Sequence, residues 1–305
     1  MKILCIGLSS YDVTYQVEEY IKENTKNRIN SRLECGGGPA NNAAYLLGKW
    51  GAEVYYAGCV GSDRHGKLIK KELESVGVNT DYMETKTNMI TTVSNIIANI
   101  KDGTRTILTY CPDDNKLDEL DLNFEPDIIL MDGHEVDVSL QILEKYPKAI
   151  SIIDASRPTI EIIELCKKVN YLVCSKDFAE NVTNKKFDFS NSKTIINIYN
   201  QMKDMFENNI IVTLESKGAL YEKDGKIKIM PSLKVKTIDS TGAGDFFHGA
   251  FTYAIANNYE LDNAIKLSNI TGALSVTKAS SKASAPDLEE VKKIYNEYWW
   301  YIIYR

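Results

Sequence analysis

The chain has 305 residues, of which 44% are hydrophobic and 26% charged, and its net charge is −6. That length can bury a large core, as one big α/β domain or two smaller ones. The mildly acidic balance argues against nucleic acid or an anionic membrane as the main partner, a local basic patch aside. Six cysteines lie scattered without CxxC spacing, which argues against a zinc site or a disulfide framework. His65, His134 and His248 are far apart in sequence and no HExxH occurs, so each reads as an ordinary polar residue. Met1 leads straight into the apolar Ile3-Leu4-Cys5-Ile6, too short for a signal peptide, and no run approaches the length of a membrane span. The expected location is the cytoplasm.

Residues 2–7 read as a buried strand and 8–12 as the turn at its end. Ligands of open α/β sheets bind just beyond the carboxyl ends of strands, which places Asp12 to meet a substrate; an Asx-turn accounts for it equally well. Residues 13–33 are polar and weakly patterned and read as short strands. Next comes Cys35-Gly36-Gly37-Gly38-Pro39-Ala40-Asn41-Asn42-Ala43-Ala44. Its glycines permit close backbone approach, Pro39 suits a first helical turn, and the alanines are helical. The third glycine of a dinucleotide fingerprint would fall at Asn41, which disfavours a dehydrogenase. After a strand at 54–60, Gly61 to Leu68 nearly spell a Walker A loop. Leu68 stands where a magnesium-binding hydroxyl is needed, so that reading is rejected. A helix is expected over 67–77, ending at a glycine cap. Two alternating segments flank the hairpin turn Asp102-Gly103. With the strands before Cys35 they predict a small sheet separate from the main one.

From 112 onward strands and helices alternate: strands at 127–131, 149–154, 171–174 and 209–214, with helices at 139–146 and 159–169. This predicts an α/β fold with a doubly wound, mainly parallel sheet, and no linker divides the chain. Asp132 stands at the end of one strand. Asp224-Gly225 is a second hairpin turn. The most informative stretch follows: Asp239-Ser240-Thr241-Gly242-Ala243-Gly244-Asp245-Phe246-Phe247-His248-Gly249-Ala250-Phe251. Glycines at a helix start admit a ligand close to the backbone, and the free amides with the helix dipole favour an anion. Gly242, Ala243 and Gly244 thus form a candidate anion hole. Asp245 in the first turn is a candidate general base, held ionised by the helix terminus. Amides beside a carboxylate are what phosphoryl transfer to an alcohol requires. Residues 262–279 and a segment beginning near Pro286 and Leu288 read as helices. The aromatic run from Tyr298 to Tyr304 reads as packing or a subunit contact.

The Asp-x-Thr-Gly-Ala-Gly-Asp string and the Gly-Gly-x-x-x-Asn string at Gly37 to Asn41 resemble the two signatures of the ribokinase-like (PfkB) carbohydrate kinases, and the resemblance runs from Lys2 to about Leu288. It implies one kinase domain over 1–298, with a β lid formed by about 12–34 and 88–110 that often serves as a dimer surface. It implies that Gly37, Gly38 and Asn41 bind sugar hydroxyls, with Asp12 and Asp132 nearby. Arg105 falls at lid position, where it meets a substrate group or is simply a solvated strand-face arginine. Ser175, Thr213, Glu215, Gly218 and Asn269 fall on the nucleotide side; Glu215 replaces the family's usual glycine. Many members carry Asn-x-x-Glu after the strand at Tyr171, whereas this chain has Ser175-Lys176-Asp177-Phe178-Ala179-Glu180, as in the ketohexokinase and sulfofructose kinase branch. Magnesium would then reach Asp177 or Glu180 through water. Asp239 is a candidate for a monovalent cation such as K+, though Ala279-Ser280-Ser281 departs from the usual glycine there.

The function these residues imply is an ATP-dependent kinase for a hydroxyl of a small sugar, a ketose or a pentose or hexose. The alternatives are a nucleoside or 2-keto-3-deoxy sugar acid kinase of the same fold. A catalytically silent sugar- or nucleotide-binding regulator is a third, and the intact Asp245 argues against it.

Overall fold

The computed structural model describes residues 1–279 and 282–298. Its central strand, β1 (Lys2–Ile6), buries Ile3 and Cys5 on one face and Leu4 and Ile6 on the other. That is the two-residue period of a strand covered on both sides. The chain then leaves the main sheet as β2 (Ser10–Val17) and β3 (Arg32–Gly37), forms α1 (Pro39–Lys49), and returns beside β1 as β4 (Glu53–Gly61). Helix α2 (Arg64–Glu74) and the short β5 (Met83–Lys86) complete this edge, and β6 (Thr92–Asn99) and β7 (Thr104–Tyr110) leave it again. On the other side of β1 come β8 (Ile128–Met131), α3 (Val136–Lys145), β9 (Ile150–Ala155), α4 (Ile160–Cys166) and β10 (Tyr171–Ser175). Helices α5 (Lys176–Thr183) and α6 (Ser192–Met205) lead to β11 (Asn209–Thr213) and the hairpin β12 (Ala219–Lys223) and β13 (Lys226–Met230). Last are α7 (Ala243–Ala256), α8 (Leu261–Ser275) and α9 (Leu288–Asn296).

Among the described residues the main sheet has nine strands in the order β13-β12-β11-β10-β9-β8-β1-β4-β5. It is parallel from β5 to β11 and antiparallel over the last two pairings. Helices α1, α2, α7 and α8 share a core with one face, and α3 to α6 with the other. The chain therefore walks outward from β1 in both directions, and β1 with β8 forms the switch point where such sheets open a ligand crevice at their carboxyl ends. The second sheet, β3-β2-β6-β7, stands apart as predicted, with β2 and β6 parallel and the outer pairs antiparallel.

Several expectations need correction. Asp12 lies inside β2, not in a turn, so it forms no Asx-turn there. Helix α2 begins at Arg64, three residues earlier than expected. Asp63 caps it, accepting from the Gly66 amide at 2.9 Å and the Thr91 hydroxyl at 2.7 Å. The Walker-like segment is thus a capped turn. Strand β5 and helix α6 were not foreseen. Helix α6 buries Ile195, Ile198, Tyr199 and Met202 at helical spacing beneath a surface rich in Lys and Asn. The aromatic tail falls outside the described residues except for Tyr298, which is fully buried.

Candidate active site

The site grows from the start of α7. Gly242 takes a left-handed φ of 80° as the residue before the helix, a conformation that costs glycine little. Gly244 is exposed, and a Cβ built on it would meet nothing within 4 Å. Further along, Gly249 lets α1 pack close: a Cβ there would lie 3.1 Å from the Ala43 carbonyl and from Leu46. That approach brings the buried Asn42 against the first turn, where its Nδ2 donates to Asp245 Oδ2 at 2.6 Å. Sequence reasoning passed over Asn42; the signal was an amide in an alanine-rich helix that must pack on another.

Asp245 is half-buried, and burial is the largest influence on it, pushing its carboxyl above the ordinary range. The Asn42 hydrogen bond and the charges of His248 and Arg105 pull the other way, and Asp132 adds to the upward push. An upward shift is the direction that suits a candidate general base.

Asp132 follows β8 and spends its carboxylate on backbone. Oδ2 accepts from the Leu8 amide at 2.9 Å and the Ala40 amide at 3.1 Å, while Oδ1 accepts from the His134 amide at 2.9 Å. It therefore ties the end of β1 to the start of α1. Asp12 is buried and accepts from the Ser10 hydroxyl at 2.9 Å. A Cβ at Gly37 would come within 2.2 Å of its carboxylate, which explains the glycine there. Gly38 has φ 106°, and a Cβ on it would strike the Leu8 carbonyl at 1.9 Å. Asn41 is fully buried, its Oδ1 accepting from Lys282 at 2.7 Å; Lys282 also reaches Glu72 at 2.8 Å, and Glu72 accepts from the Gly36 amide at 2.7 Å. This buried network, also unforeseen, underlies the glycine loop.

Arg105 does reach the site: its guanidinium donates to Ser240 Oγ at 2.5 Å, and Ser240 donates to the Gly103 carbonyl at 3.4 Å. The β6–β7 hairpin is thereby tied to the loop before α7. Asp239 is buried and accepts from the Thr241 amide at 2.9 Å. On the other side, Ser175 caps α5, Thr213 donates to the Cys174 carbonyl at 3.2 Å, and exposed Glu215 pairs with Lys176 at 3.0 Å. Gly218 has φ 101°, with the Met230 carbonyl 1.9 Å from where a Cβ would stand. Asn269 is buried and donates to the Met230 carbonyl at 3.0 Å, bracing the end of β13. Glu180 is held by Lys186 at 2.6 Å and the Phe187 amide at 3.0 Å, whereas Asp177 is exposed.

Burial pushes Asp12 up from an ordinary 3.8 to about 6, with the Asp245 charge adding to it and Ser10 and Lys282 opposing. A carboxyl raised in the folded state stabilises the fold when protonated, so its contribution is present below about pH 4 and is lost as pH rises through 6. The loss is at most ~3 kcal/mol. Asp12→Asn is expected to raise the melting temperature at pH 8 and to flatten its fall between pH 4 and 7, as calorimetry would show. An unchanged slope would mean that Asp12 is not so perturbed.

A doubly wound, mainly parallel sheet with a small separate sheet beside it, and a half-buried aspartate in the first turn of α7, define a ribokinase-like fold. The structure of Arabidopsis thaliana ribokinase complexed with ribose and ATP superposes with a TM-score of 0.77 over 96% of this chain and 98% of that one, at 21% identity. The pfkB family carbohydrate kinase profile matches residues 1–288, and the chain belongs to that family. It is 25% identical to the Bacillus subtilis ribokinase over 304 residues, covering 96% of this chain and 99% of that protein. It is also 24% identical to the Methanocaldococcus jannaschii nucleoside kinase over 300 residues, covering 95% of each.

Proposed function

We propose that this carbohydrate kinase transfers the γ-phosphoryl group of ATP to a hydroxyl of a small neutral sugar, with Asp245 as general base. The observation that carries the reading is the Asn42-held Asp245 carboxylate in the first turn of α7, beside the open backbone at Gly244. In this reading the sugar lies between Asp12, the Gly37-Gly38 loop and Asp245. Asn42 orients one carboxylate oxygen and leaves the other to accept the hydroxyl proton as the O–P bond forms. The amides of Gly242, Ala243 and Gly244 offset charge on the transferring group. Arg105, on the lid, closes over it and helps to exclude water. Asp12 and Asp245, with the charge of Asp132 near them, make the sugar side acidic, which favours a neutral polyol over a sugar acid. A nucleoside remains the second reading, favoured by the nucleoside kinase relative.

Magnesium enters this reading on the oxygens of ATP, as part of the substrate. The chain's own candidates fit a direct ligand poorly, since Glu180 is engaged by Lys186 and Phe187 and no cluster of three or more metal-ligating side chains occurs among the described residues. No step is routed through it. A K+ site would need Asp239 and the loop at 279–281, part of which lies outside the described residues. The lid edge supports a homodimer: every residue of β7 is exposed, Ile107, Leu108 and Tyr110 among them. Cytoplasmic ATP would supply the reaction.

The test is ADP release over a library of ketoses, aldoses, nucleosides and sugar acids, with phosphate on the product located by NMR. Turnover of a neutral sugar above the ATPase background is expected. Turnover restricted to sugar acids would overturn the substrate class, and none with any alcohol would overturn the kinase.

A further inference from the structure

His248 lies one turn beyond Gly244 on α7 and is buried. Its Nδ1 is 2.6 Å from the Gly244 carbonyl oxygen and 3.2 Å from Asp154 Oδ2, and its Nε2 is 3.2 Å from the Val173 carbonyl oxygen. All three neighbours are acceptors, or in the case of Asp154 an acceptor whenever ionised. A neutral imidazole carries one N–H, so one ring nitrogen would point a lone pair at a carbonyl lone pair in a dry interior. Each contact is a hydrogen bond only when its ring nitrogen carries a proton, so both are made together only by the doubly protonated ring. Asp154, at the end of β9, is the counter-charge within reach whenever it is ionised; burial pushes its carboxyl up to about 7, and the charge of His248 opposes that push.

We infer that His248 is a positioning residue that acts as a buried imidazolium: it anchors the Gly244 carbonyl to β9 and β10, and its charge holds the neighbouring Asp245 in the ionised form required of a base. This rests on the proposed role of Asp245. The anchored group is the carbonyl of the Gly244–Asp245 peptide, so the contact fixes the backbone between the Gly244 amide of the proposed anion hole and the proposed base. The charged and titratable groups around Asp245 are Asp12 on β2, Arg105 on β7, Asp132 after β8, Asp154 on β9 and His248 on its own helix, with Asn42 of α1 as its direct donor. Three of the four flanking charges besides His248 are negative, so His248 and Arg105 carry the opposing field. Arg105 arrives on the lid, whereas His248 is built into the core. The core histidine therefore acts on the base independently of the Arg105–Ser240 contact.

The experiment has two arms. In the first, ring nitrogens of the wild-type protein are observed by 15N–1H correlation; only three histidines are present, and His248 is assigned by comparison with His248→Gln. Both ring nitrogens are expected at protonated shifts at pH 7.5, and one unprotonated nitrogen would overturn the inference. In the second, kcat is followed against pH. His248→Gln keeps a polar side chain and removes the charge, so Asp245 should bind its proton more tightly and the acid limb should move up by roughly one pH unit, with kcat recovering at alkaline pH. A drop of equal size at every pH, or no change, would reduce His248 to a packing role. The first arm does not depend on catalysis, so an active Asp245→Asn would remove the base while leaving the imidazolium result standing.

Discussion

Replacing Asp245 with asparagine is expected to lower kcat by about 10²–10⁴-fold while the fold and ATP binding persist. The substitution is nearly isosteric and removes only the acceptor for the hydroxyl proton. It also ends the desolvation of a half-buried carboxylate, so the melting temperature should hold or rise. Asn42 Nδ2, at 2.6 Å from Oδ2, can still donate to an amide oxygen at that place. Stopped-turnover assays with saturating sugar and ATP, paired with nucleotide binding by calorimetry, would check both halves. Near-normal turnover would take proton transfer away from this residue, and lost ATP binding would mean a structural one.

The second large effect is expected at Gly244. A Cβ there meets nothing within 4 Å of protein, and its φ is not left-handed, so Gly244→Val costs the fold little. The side chain projects instead into the space where the transferring phosphoryl group would sit. We expect kcat/KM for ATP to fall by at least about 10², the size of a lost anion-hole donor, with a melting temperature close to wild type. Gly38 and Gly218 are the contrast. Each has a positive φ with a carbonyl 1.9 Å from a built Cβ, so substitution there would damage the backbone itself and say nothing about phosphate. Unaltered kinetics in Gly244→Val would remove the anion cradle from the reaction.

The sheet was legible because its strands are continuous apolar runs such as Ile3-Leu4-Cys5-Ile6 and Ile128-Ile129-Leu130-Met131, buried on both faces. The turn residues Asp102-Gly103 and Asp224-Gly225 placed the two hairpins. Helix α6 escaped notice because its buried stripe is interrupted by Lys193, Asn197 and Lys203 on the outer face, and its period shows only when the faces are separated. The site was legible where chemistry is local. Gly242, Gly244 and Asp245 are neighbours in sequence and in space. The partners that act on Asp245 are not: Asn42, Arg105 and Asp132 come from elements whose proximity depends on helix packing and strand order, which no single stretch encodes. Asp132 and Asn269 were picked out as binding residues, yet their hydrogen bonds in the structure run to backbone groups.

The bond from Asn42 to Asp245 joins residues 203 positions apart, and Asp132 clasps amides 124 and 92 positions earlier in the chain. Loop closure over such spans is slow and is rewarded only once the intervening strands are seated. In the proposed reading, a growing chain that has not reached α7 would hold its sugar loop with no base and no phosphate cradle. Competence to spend ATP would then arrive in one step, with α7, and a copy short of that helix would have nothing with which to squander the nucleotide.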